Sequence, residues 1–120
     1  MTPQAFRKLA LALPHTTEKA HMDHPDFRVK NHVFASLWPD GESAMVRLTP
    51  AQQAACVKTA PGMFEPLGGA WGARGCTRVL LKAARVAQAR EAVSLAWRNI
   101  APKAYMEDLQ PPARKAARRA

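Results

Sequence analysis

The stretch "DFRVKNHVFASLWPDGESAMVRL", residues 26–48, decides the fold. Phe27 and Val29 alternate with Arg28 and Lys30, the period of a half-buried strand, and Asn31-His32 supplies a tight turn. Val33 to Trp38 reads as a second strand, apolar on both parities except at Ser36. Pro39-Asp40-Gly41 is a strong turn signal. Ala44 to Leu48 follows as a third strand, with Val46 and Leu48 facing away from Met45 and Arg47. Three strands joined by short loops make an antiparallel meander.

Helices flank it. Thr2-Pro3 opens one, threonine as cap and proline in the first turn, where its missing N–H is harmless. Phe6, Leu9, Ala10 and Leu13 then recur at helical spacing until Pro14. A short strand near residues 17–23 fits the polar segment that follows. Thr49-Pro50-Ala51-Gln52 predicts a capping box opening a helix that halts before Pro61-Gly62. A glycine-rich loop leads into a strand at residues 77–82. Residues 85–100 form a helix with Val86, Ala89, Val93, Trp97 and Ile100 on one stripe. These elements predict an α+β domain: a two-layer sandwich whose antiparallel sheet of four to five strands has three helices packed on one face.

Quoted in order, "LALALP", "HPDFRVKNHVFASL", "AMVRLTPAQQAA", "PGMFEP", "GGAWGARGCTRVLL" and "AVSLAWRNIAPK" resemble the MmcQ/YjbR-like family of small bacterial proteins, often labelled DNA-binding. The resemblance covers residues 1–104 apart from the first few. It implies the same sandwich with an antiparallel sheet, a DNA-binding role, and no catalytic residues. Residues 105–120 lie outside the family pattern and read as a disordered basic tail, with Arg114, Lys115, Arg118 and Arg119 and, from residue 111 on, no acid.

Charge narrows the partners. The 120 residues carry 18 Lys+Arg against 9 Asp+Glu, a net +9, and eleven of the bases are arginine. Such an excess favours nucleic acid, an anionic surface or an acidic ligand, and arginine suits bidentate phosphate contacts. If Phe27/Val29, Val46/Leu48 and Val79/Leu81 face the helices, the opposite parity presents Arg28, Lys30, Arg47, Arg78 and Lys82 on one face, with no acid among them. Side chains recur about every 7 Å along one face of a strand, comparable to phosphate spacing. Phe34 or Trp38 is available for base stacking, depending on register.

The segment "GGAWGARGC", residues 68–76, lacks the lysine and hydroxyl of a phosphate-binding P-loop, and its glycines precede a strand where a dinucleotide fingerprint would follow one. Two readings stay open for it. Either it is a mobile loop with Trp71 packed back on the core, or a wing on which Arg74 contacts phosphate and Trp71 stacks.

Other chemistries find little in the chain. Cys56 and Cys76 form no C-x-x-C pair, and no serine sits in a nucleophile elbow. "HMDH", residues 21–24, with His15 and His32 at a distance, lacks a metal-site spacing. The apolar run at residues 9–14 is too short for a membrane span. The expectation is a cytoplasmic, monomeric, non-enzymatic protein without metal or cofactor. Its partner is nucleic acid, DNA held through sequence-independent phosphate contacts. The alternative is a protein- or small-ligand-binding domain whose charge only solubilises it.

Overall fold

The computed structural model describes residues 1–21 and 24–109. Thr2 starts helix α1 (Pro3–Leu11) by accepting from the Ala5 amide at 3.0 Å. A hairpin follows, β1 (Thr16–His21) against β2 (His24–Val29). β3 (His32–Leu37) and β4 (Ser43–Arg47) complete the meander. α2 (Pro50–Thr59) carries the expected capping box, with Thr49 and Gln52 exchanging hydrogen bonds at 2.9 and 3.1 Å. Then come β5 (Phe64–Pro66), the short helix α3 (Gly69–Ala73), β6 (Cys76–Leu80), a 3₁₀ turn at Leu81–Ala83 and α4 (Val86–Ile100). A 3₁₀ helix, Lys103–Asp108, closes the described chain.

The strands form one antiparallel sheet in the order β1-β2-β3-β4-β6-β5. Six strands replace the expected four to five. β5 escaped notice because three residues ending in proline show no alternation, which an edge strand tolerates. At the other edge, β1 reads TTEKAH and has little hydrophobic signal to find.

Helices α1 and α4 lie over one face, with α2 beside them on β5 and β6. Phe27, Val29, Ala35, Leu37, Ala44, Val46, Phe64 and Val79 meet Phe6 and Ala10 of α1 and Ala89, Val93 and Trp97 of α4. Each fully buried Phe or Val contributes roughly 1.5–3 kcal/mol. Trp97 has no exposed surface, and its indole N–H donates to the Pro14 carbonyl at 3.0 Å, tying α4 to the end of α1. Val86, expected on the buried stripe, is exposed at the first turn of α4, ahead of where the helix meets the sheet.

Two details of the meander set the geometry of its outer face. The β2–β3 turn is Lys30-Asn31, not Asn31-His32, with φ of 53° and 66°. A two-residue hairpin turn of this hand needs positive φ at both central residues, which asparagine tolerates. Lys30 therefore leaves the strand. The register also shifts between Phe27 and Arg28, so that Phe34 is the extra residue of a bulge in β3. Phe34 and Ala35 are both fully buried, which explains an apolar run on both parities.

The ordered body extends past the expected boundary at residue 104. Tyr105 stacks on His15 with ring centroids 3.9 Å apart, and Asp108 holds the His15 Nε2 at 2.6 Å. Tyr105, Met106 and Leu109 pack on the core.

Candidate nucleic-acid interface

Residues opposed across an antiparallel ladder point to the same side. Asp26 opposes Ser36, Ser36 opposes Met45, and Met45 opposes Arg78, making one row on the face turned away from α1 and α4. Arg28 and Arg47 share that face at neighbouring positions, and Glu65 of β5 stands opposite Arg78.

The uniformly basic face therefore needs correction. Asp26, two residues from Arg28 and so of the same parity, takes up its guanidinium in a fork: Nε to Oδ1 at 2.9 Å and Nη2 to Oδ2 at 3.1 Å. These hydrogen bonds raise the Arg28 pKa further, opposed by desolvation and helped by the carboxylate charge. Arg28 is thus internally neutralised. Lys30 stands in the hairpin turn, and Lys82 in the 3₁₀ turn beyond β6, beside a cavity of about 740 Å³ shared with Asp40, Glu42 and Arg78. Arg47, Arg74 and Arg78 form no ion pair among the described residues.

A groove of about 740 Å³ lies on the outer face; Arg47 belongs to its lining, and Arg78 and Arg74 stand beside its two tryptophans. Val33, Trp38 and Met45 contribute from the meander, Leu67, Trp71 and Cys76 from the β5–β6 side, with His24, His32, Asn31 and Arg47 at its margin. Trp38 is set by the turn after β3. Asp40 accepts from the Glu42 and Ser43 amides at 2.8 and 3.1 Å, and Gly41 adopts φ +72°. The Arg78 guanidinium lies 4.3 Å from the Trp38 ring centre. Phe34, the other stacking candidate, is in the core.

Trp71 points outward, 61% exposed, with the Arg74 guanidinium 5.9 Å from its ring. It rides on α3, so the segment at 68–76 is a placed helix, not merely a connection. Its glycines serve close approach. A Cβ on Gly72 would sit 1.6 Å from the Leu67 carbonyl oxygen. One on Gly75, whose φ is +114°, would sit 2.0 Å from that of Leu48. From below, the Gln53 side-chain amide of α2 donates to the carbonyls of Gly72 at 3.1 Å and Cys76 at 2.9 Å.

Burial pushes the Cys76 thiol pKa up, partly offset by the charges of Arg47 and Arg74, and burial with Glu91 does the same to Cys56. Both favour the protonated, less nucleophilic form. Among the described residues no three His, Cys, Asp or Glu side chains converge as metal ligands would. Met22 and Asp23 of "HMDH", and the tail residues Arg114, Lys115, Arg118 and Arg119, lie outside the described residues. Among the described residues no helix is long and apolar enough to cross a membrane.

Sequence parity missed Asp26, although its spacing from Arg28 was visible. It could not bring Leu67 to the groove beside Met45, because that meeting depends on β5 pairing with β6.

A single antiparallel sheet covered by helices on one face and bearing a groove on the other defines a small α+β fold. The chain belongs to the YjbR family, whose model matches residues 11–99. The crystal structure of Deinococcus radiodurans protein DR2400, which carries a DUF419 domain, is similar in fold. It aligns with a TM-score of 0.67 at 18% identity, covering 92% of this chain and 83% of that one. No curated protein matches the chain.

Proposed function

We propose that the protein binds nucleic acid through the outer face of its sheet, with contacts to the phosphate backbone that are largely independent of sequence. The observation that carries this reading is a groove walled by Trp38 and Trp71 and lined by Arg47, with Arg78 and Arg74 beside the two rings and no ion pair on any of the three among the described residues. Guanidinium groups laid over indole rings keep their charge while their donors remain available to phosphate oxygens. The net charge of +9 adds long-range attraction, and Arg114, Lys115, Arg118 and Arg119 supply further sequence-independent contacts. In this reading the chain is a non-catalytic, cytoplasmic, monomeric binding module that needs no cofactor.

The test compares two triple variants. Arg47→Ala, Arg74→Ala and Arg78→Ala together should weaken binding of a labelled oligonucleotide at ~50 mM salt by at least ~10-fold. Arg85→Ala, Arg90→Ala and Arg98→Ala remove the same charge from exposed positions on or beside α4 and should cost much less. Equal losses would reduce the effect to net charge and remove the site.

One observation favours a second reading, a small apolar ligand. The groove volume falls within the usual range of ligand sites, and its walls are mainly apolar. Melting-temperature shifts with planar aromatic acids, unaltered by competing oligonucleotide, would support that alternative.

A further inference from the structure

We infer that the groove accepts unstacked bases, so that the preferred partner is single-stranded nucleic acid and not a duplex. This rests on the nucleic-acid reading above and names the form of the polymer. Three observations converge on it.

The first is the chemistry of the walls. Val33, Met45 and Leu67 offer no hydrogen bonds to a phosphate backbone, and a duplex presents phosphates outward with its base faces closed in the stack. Only a splayed base offers an apolar planar face to such a surface.

The second is the state of Trp71. It is one of two large hydrophobic side chains left exposed among the described residues, the other being Val86 on the helical side. An indole on a flexible loop could be incidental. Here the short helix that bears it is pinned by the Gly72 contact with Leu67 and by both hydrogen bonds from Gln53. The exposed ring is held ready, which lowers the ordering cost of stacking on it.

The third is the pairing of planar groups with charge. Arg78 over Trp38 and Arg74 near Trp71 place a cation beside each ring. A guanidinium plane is itself a stacking surface for a base, while its edge reaches the neighbouring phosphate. Groove and cations together match a polymer that alternates planar apolar groups with negative charges. A polyanion without bases would leave the walls unused.

The experiment titrates the full chain with four labelled 12-mers at ~50 mM salt: oligo-dT, oligo-rU, a duplex, and an abasic strand with the same phosphates. Either of the first two should bind at least ~10-fold tighter than the duplex and the abasic strand, and should quench tryptophan fluorescence. Their relative affinities distinguish DNA from RNA. Trp71→Ala should lose roughly 5- to 100-fold on the preferred single strand, the equivalent of one stacked base, and under ~2-fold on the abasic strand. Trp71→Phe should recover part of the loss. Duplex or abasic strand binding as tightly as the single strands overturns base capture while leaving the phosphate reading intact. Absence of binding to all four overturns both.

Discussion

At the residue scale, the chemistry turns on small backbone facts. Gly75 occupies φ +114°, where its missing Cβ leaves room for the Leu48 carbonyl. Gly75→Ala adds both positive-φ strain and a steric conflict, and should destabilise the fold by roughly 1–3 kcal/mol or more. Urea denaturation followed by circular dichroism measures it, and a neutral result would mean that the approach to Leu48 relaxes freely. The glycines at 68–76 were legible as a distinctive cluster, read as a loop where helix α3 stands. Their purpose was not, because the clashing atoms belong to Leu48 and Leu67, one of them twenty-seven residues away in sequence. Asp26 is the opposite case. Its parity with Arg28 was open to reading, and counting positive charges alone obscured it.

At the element scale, the caps and the meander were legible because their causes are local. Thr2 and Thr49 bond to amides three residues ahead, and the β3–β4 turn carries its own Asp40 and Gly41. What stayed hidden depends on partners. β5 exists through its pairing with β6, and the bulge at Phe34 through the core that accepts two successive side chains. Helix α3 is too short to hold itself and relies on α2. Gln53→Ala would leave the Gly72 and Cys76 carbonyls without that donor, at a cost of about 1–3 kcal/mol. It should also loosen Trp71, read as lower fluorescence anisotropy of the indole and faster hydrogen exchange across residues 68–76. Unchanged exchange there would mean that the glycine contacts suffice to place α3.

At the scale of the whole molecule, helices α1 and α4 occupy one side of the sheet, and the groove opens on the other. Buried apolar rows face α1 and α4. The outer rows combine one internally satisfied ion pair, a groove with two tryptophans, and arginines that form no ion pair among the described residues. The family and the α+β architecture were legible through ordered motifs spread over most of the chain. The groove was not, since its walls come from segments that meet only after folding. If its arginines engage phosphates, salt must compete with them in proportion to their number. The most direct measurement is therefore the affinity for a labelled single strand as a function of salt, for the full chain and for the Arg47→Ala, Arg74→Ala, Arg78→Ala variant. Removing three single-strand phosphate contacts should flatten the log–log slope by about 2 relative to the full chain. A flat dependence, or a slope that the triple variant leaves unchanged, would contradict binding through this face.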